Sequence, residues 1–215
     1  MELVNISRPA DYGPSTLLTP NLDLNPNFED FDLDEREREV LKLLSSEQNA
    51  HFSFQGLRRR LGLHQETLTR TLKRLEEASV IERSPEGYKL KGAGTGYTFT
   101  VGTNQSLAKP IINAYLPSQV DVTVLFQKLR GRWFSNFRWL GYSHDGTQLS
   151  MSWISEDGRM QLQARIGGGK ITIGADSYTN QSESEQIAAA YQLFDHITKV
   201  TEEMVQTVAQ PPVAN

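Results

Sequence analysis

The sequence predicts an α+β fold in two parts. The N-terminal part is a helix-turn-helix followed by a β-wing, and the C-terminal part is an antiparallel sheet of the order strand, helix, four strands, helix. Three observations lead there. Leu68, Leu72 and Leu75 recur at helical spacing just after a second short stripe, Phe54, Leu57 and Leu61, with only Gly62, Leu63 and His64 between them. Three turn signals, His144-Asp145-Gly146, Glu156-Asp157-Gly158 and Gly167-Gly168-Gly169, separate segments whose apolar residues alternate. The chain then closes with a long periodic stripe.

Within the helix-turn-helix, Glu66, Thr69, Arg70, Lys73 and Arg74 face away from the leucines, so the helix has an apolar back and a polar, basic front. Ser53 is placed to cap the preceding helix and Gly62 to end it in a left-handed conformation. Phe52 with Leu57, and Leu63 with Leu68, sit at hydrophobic-staple spacing, and His64 falls at the second cap. Val80 and Ile81, the turn Ser84-Pro85-Glu86-Gly87, then Tyr88 and Leu90 read as the wing. Upstream, Asp34 and Glu37 form a capping box, and Val40, Leu41 and Leu44 supply the core face of a first helix.

The segments Leu61-Gly62-Leu63, Thr67-Leu68-Thr69-Arg70, Leu72-Lys73-Arg74-Leu75-Glu76-Glu77-Ala78 and Ile81-Glu82-Arg83 resemble the winged helix-turn-helix of bacterial and archaeal regulators of the MarR and ArsR types. The likeness covers roughly a quarter of the chain. His64 stands where such families carry Ser or Thr. The resemblance implies a DNA-binding transcription regulator whose recognition helix, beginning near Gln65, enters the major groove. Gln65, Thr67, Thr69 and Arg70 are the candidates for base edges. Lys73, Arg74 and the run Arg58, Arg59, Arg60 are the candidates for phosphates, with the member of that run nearest the core stripe an alternative internal partner. Arg83, Lys89 and Lys91 of the wing are the candidates for the neighbouring groove or backbone.

Charge distribution agrees, although the chain is acidic overall at −4. From Ser53 to Lys91 there are nine Lys and Arg against five Glu, whereas Met1 to Leu33 carries six acids and one Arg. The four divisions expected are an acidic, disordered arm over 1–32, the winged domain over 33–91, a Gly- and Thr-rich linker over 92–108 with a short alternating strand at Tyr97, Phe99 and Val101, and the sheet domain over 109–210. The run Gly92-Ala93-Gly94-Thr95-Gly96 lacks the Gly-Lys-Ser/Thr ending of a phosphate loop.

In the sheet domain, Ile111, Ile112, Ala114 and Leu116 predict a strand, and Gln119 to Arg130 a helix through Val122, Leu125, Phe126 and Leu129. The strands expected next are Phe134–Tyr142, Thr147–Ile154, Met160–Ile166 and Lys170–Asp176. They have one apolar face and one polar face open to solvent or a ligand. Asn180, Ser182 and Ser184 compete as the cap of a last helix whose predicted core stripe is Ile187, Tyr191, Phe194, Ile197, Thr201, Met204 and Val208, ended by Pro211-Pro212. Its distal part, Val200 to Val208, is a candidate dimer seam.

This second part resembles one half-repeat of the TATA-binding protein, through Gly169-Lys170-Ile171-Thr172-Ile173-Gly174-Ala175 and the helix opening Ser182 to Ala190. The resemblance implies a sheet that works in pairs, which a homodimer would supply. A helix-grip ligand pocket has a similar element order and is the competing fold.

Several chemistries are excluded or unsupported. Without cysteine there is no disulfide, thiolate metal site or thiol nucleophile. His51, His64, His144 and His196 have no partner at metal-ligand spacing, and no Gly-x-Ser-x-Gly elbow occurs. Asp145 and Asp157 are explained by their turns. Trp139 and Trp153 fit the core, and Trp133 with Phe134 is the aromatic pair able to cap a pocket. No apolar run reaches the ~18 residues of a membrane span, and no basic leader precedes one, so a cytoplasmic, nucleoid-associated place is expected. The expectation is therefore a non-enzymatic regulator with no cofactor. Its partners would be double-stranded DNA, a second copy of the chain and a candidate small-molecule effector. The alternatives are a winged-helix protein-interaction module of a transcription complex and a small-molecule binder built on the C-terminal domain.

Overall fold

The computed structural model describes residues 33–46, 49–91, 108–179 and 181–209. The arm at 1–32, the linker strand around Tyr97 and the terminal Pro211-Pro212 lie outside the described residues.

Helix α1 (Glu35–Leu44) opens with the expected capping box. Asp34 accepts from the Glu37 backbone and the Glu37 carboxylate accepts from Asp34 N–H, at 2.9 Å each. Strand β1 (His51–Phe52) follows, then α2 (Phe54–Leu61), capped by Ser53 and ended by Gly62 at φ 63°. Helix α3 (Gln65–Glu77) buries Leu68, Thr71, Leu72 and Leu75. Strands β2 (Ile81–Ser84) and β3 (Gly87–Leu90) make the wing around Pro85 and Glu86.

The rest of the chain is β4 (Lys109–Tyr115), α4 (Val122–Leu129), β5 (Phe137–His144), β6 (Leu149–Ser155), β7 (Met160–Gly167), β8 (Lys170–Ser177) and α5 (Glu183–Ala209). Helix α4 starts at Val122, three residues later than Gln119, because Asp121 caps it by accepting from the N–H groups of Thr123 and Val124. Strand β5 starts at Phe137 rather than Phe134, since Ser135 takes a left-handed φ of 46° and turns the chain.

All eight described strands form one antiparallel sheet, ordered β2-β3-β1-β5-β6-β7-β8-β4. The two-residue strand β1 makes it continuous. Phe52 pairs with Tyr88 of the wing on one side and with Gly141 of β5 on the other. The approach is so close that a Cβ on Gly141 would lie 2.2 Å from the His51 carbonyl oxygen, and one on Gly56 2.6 Å from that of Leu140. A bulge between Trp139 and Gly141 returns Tyr142 to the face that carries Trp139.

Two apolar cores lie on opposite faces. Helices α4 and α5 cover one around Met151, Trp153, Leu162 and Ile173. The helix-turn-helix covers the other, and Leu140 and Ile154 of β5 and β6 belong to it. The polar sheet face expected to meet solvent or a ligand is thus, at β5 and β6, occupied by α2.

The predicted stripe of α5 needs a second correction. Ile187 and Tyr191 are 39% and 59% exposed, and Ala189, Ala190 and Leu193 are buried instead, continuing through Ile197, Thr201 and Met204. The helix meets the sheet through small alanines, which let its backbone come close, and this rotates the larger residues outward.

Candidate nucleic-acid interface

Helix α3 packs its leucines against α1 and β2 and leaves Gln65, Glu66, Thr69, Arg70 and Lys73 exposed on the opposite side. The cap at His64 is long. Its Nδ1 accepts from Glu66 N–H at 3.4 Å. Thr67 is half-buried, and Thr69 donates its hydroxyl to the Gln65 carbonyl at 2.8 Å. Arg70 pairs with Glu66 at 3.2 Å and Lys73 with Glu77 at 3.6 Å, all strongly exposed. Such surface pairs stabilise by only ~0.3–0.5 kcal/mol, so both cations are available to a competing anion.

Arg74 has a different environment. It holds Glu37, whose side chain is only 3% exposed, at 3.1 Å and Asp34 at 3.3 Å, tying α3 to the capping box of α1. The arginine run of α2 also divides. Arg58 is half-buried, and Arg59 donates to the Gln55 carbonyl at 3.4 Å. Arg60 turns inward over the Tyr178 ring. Burial of Tyr178 pushes its phenol well above the ordinary range, so it stays neutral and donates to Gln161 Oε1 at 2.6 Å.

On the wing, Arg83 is exposed above Tyr88, with 5.9 Å between guanidinium and ring centre. Lys89 pairs with Glu82 at 2.7 Å, and Lys91 is half-buried. The wing turn is fastened from the other face of the sheet. Arg130, just after α4, reaches Glu86 and the Pro85 carbonyl at 3.5 Å each. Nothing local in the sequence marks Arg130 for this, because its partner lies over forty residues away.

The expected pairing of Trp133 with Phe134 is not realised. Phe134 is buried, stacked on Phe137 and His196, whereas Trp133 is 67% exposed beside Arg138. Trp139 and Trp153 meet edge to face in the core, at 5.3 Å.

Clefts among the described residues flank the sheet. One, of about 510 Å³, lies between α4 and the wing strands and includes His51, Lys89, Phe126, Tyr142 and His144. His51 stacks on Tyr142 at 5.0 Å, and burial, aided by Lys89, lowers its pKa. Another, about 410 Å³ and mostly apolar, runs between Tyr115, Leu116 and the distal half of α5 at Phe194, Ile197 and Val205. Among the described residues no His, Asp and Glu cluster could hold a metal ion, and no helix is long and apolar enough to cross a membrane.

A comparison with protein-family models matches residues 33–86 to the MarR family. No curated protein and no solved structure matches the chain, so the likeness of the second half to the TATA-binding protein has no support there. The matched span runs from the residue before the Asp34 cap to the wing turn, and contains each of α1, α2, α3 and β2. Residues 33–86 are therefore similar to the winged-helix domain of the MarR family, whose members are DNA-binding transcription regulators.

Proposed function

We propose that the chain is a sequence-specific DNA-binding transcription regulator, with α3 in the major groove. The observation that supports this most is the exposed polar front of α3, Gln65, Thr69, Arg70 and Lys73, standing on a fully buried leucine back beside a wing. Gln65, Thr69 and Arg70, with half-buried Thr67 beside them, read base edges. Lys73, Arg58, Arg59, Arg83, Lys89 and Lys91 contact backbone. Arg74 contributes chiefly by holding the helix against α1.

Fluorescence anisotropy with random duplex DNA, from low to physiological salt, tests this. Affinity that falls steeply with salt supports a phosphate-contacting surface. Absence of binding at low salt favours the protein-interaction reading.

The C-terminal half then dimerises the protein or senses an effector. The apolar groove along distal α5, with Tyr115 79% exposed at its rim, suits a second copy. Sedimentation equilibrium tests that. The cleft between α4 and the wing suits a small polar effector, because its lining spans the wing and the second half. A ligand-dependent rise in Tm, lost in a Tyr142→Ala variant, tests that role.

A further inference from the structure

The loop between α4 and β5, residues 131–136, belongs to neither the wing nor the helix-turn-helix, yet it is fastened to both. At its start, Arg130 grips Glu86 and Pro85 of the wing turn. Trp133 is three residues on, so its Cα lies within about 11 Å of that of Arg130. At its end, Arg138 pairs with Glu156 of the β6–β7 turn. That turn touches α2, since a Cβ on Gly158 would sit 2.6 Å from the Arg59 carbonyl oxygen. The positive charges of Arg58 and Arg138 lower the pKa of Arg59 further after desolvation. The loop thus bridges the wing turn and the end of α2.

It is also rigid. Gly131 and Ser135 take left-handed φ values of 71° and 46°. Trp153 Nε1 donates to the Arg132 carbonyl at 3.0 Å, Arg132 N–H to Leu129 at 3.0 Å, and Arg138 to the Ser135 carbonyl at 3.1 Å. On this frame the Trp133 ring lies 4.6 Å from the Arg138 guanidinium, which fixes it while leaving it 67% exposed. Arg130, Arg138 and Arg159 each have a carboxylate partner, whereas no ion pair holds exposed Arg132 among the described residues. A preordered, outward aromatic next to an unneutralised arginine is ready for a partner with both negative charge and flat or sugar surface.

We propose that Arg132 and Trp133 extend the nucleic-acid surface past the wing, Arg132 on a phosphate and Trp133 against the sugar or groove edge of the duplex that flanks the recognition helix. This rests on the DNA-binding reading above, and adds contacts made by the second half of the chain.

Acrylamide quenching of the full-length protein's fluorescence tests it, with and without a random duplex of about 30 base pairs, long enough to run past the wing. Trp139 and Trp153 are buried, so Trp133 dominates the quencher-accessible emission. Duplex is expected to shield that emission. Trp133→Ala is expected to weaken binding about 3- to 10-fold, with Trp133→Tyr retaining most of the affinity. Arg132→Ala should lower the salt slope by about one phosphate. Wild-type protein that binds duplex with a steep salt slope while Trp133 stays open to quencher overturns this proposal alone. So does equal affinity of Trp133→Ala, or shielding that follows protein concentration and not DNA. Absence of any salt-dependent binding by the wild type overturns the underlying reading as well, and the two failures are told apart by the wild-type titration.

Discussion

The Arg60 guanidinium carbon lies 3.3 Å from the centre of the Tyr178 ring. One residue belongs to the helix-turn-helix and the other to the far end of the C-terminal sheet, so the contact clamps the two across α2 and β8. Because Tyr178 is half-buried, the cation–π attraction is partly shielded from solvent. The Arg60→Ala variant is expected to lose about 0.5–2 kcal/mol of unfolding free energy, measured by urea denaturation. Its DNA affinity should keep the wild-type salt slope, which separates Arg60 from Arg58 and Arg59.

On the recognition helix the exposed cations divide between two roles. Arg70→Ala is expected to cost ~1–3 kcal/mol on a selected site and to relax preference at one base pair. Lys73→Ala should weaken all duplexes alike and reduce the salt slope by about one. Competition anisotropy against scrambled duplex reads both. Equal, sequence-independent losses from the two variants would sink the division of roles.

Leu140 and Ile154 sit on strands of the C-terminal half but are fully buried in the winged-helix core. Truncating either to Ala is expected to cost about 2–5 kcal/mol. The loss should appear identically in far-ultraviolet circular dichroism, which follows the helices, and in the fluorescence of the buried tryptophans in the other core. Transitions that separate would mean the halves unfold independently despite their shared sheet.

Acid should destabilise the protein in two stages. Burial holds the pKa of His51 and His196 below the ordinary imidazole value, and His196 Nε2 is buried without a hydrogen-bond partner. A group with a lowered folded pKa contributes stability that is complete above its unfolded value. For these histidines that value is about 6.5, and the contribution is lost as pH falls through the folded values. Tm is therefore expected to decline below about pH 6.5, and a His51→Gln, His196→Gln double variant should flatten this first stage. Asp145, held low by backbone and side-chain hydrogen bonds from Thr147 and Gln148, and Asp157, held low by the Ser155 hydroxyl, belong to the second stage, below about pH 4.

Much of the local structure was legible because its causes are local. The Asp34 capping box, the Ser53 cap, left-handed Gly62 and the hairpin turns each depend on residues within four positions of one another. Strand β1 was not legible. At two residues it is too short to show alternation, and Phe52 reads equally well as a staple until Gly141 is brought beside it. The phase of α5 was not legible for a related reason. Ile187 and Tyr191 continue the apolar stripe in sequence, but the sheet accepts Ala189 and Ala190.

The arginines carry the same lesson into the candidate site. Arg58, Arg59, Arg60, Arg70 and Arg74 are chemically identical, and helical phase alone groups Arg70 with Arg74. Only the fold turns Arg74 to the buried Glu37 and Arg60 to Tyr178, leaves Arg70 on a surface pair, and lifts Trp133 into solvent while Phe134 goes under. By itself the sequence determined the elements, their caps and the polar front of α3, since periodicity and capping act over one or two helical turns. The tertiary structure alone decided that wing and C-terminal strands share a sheet and which cations remain for a partner. Those outcomes depend on which distant backbone comes close enough to pair and which distant carboxylate or ring comes close enough to take the charge.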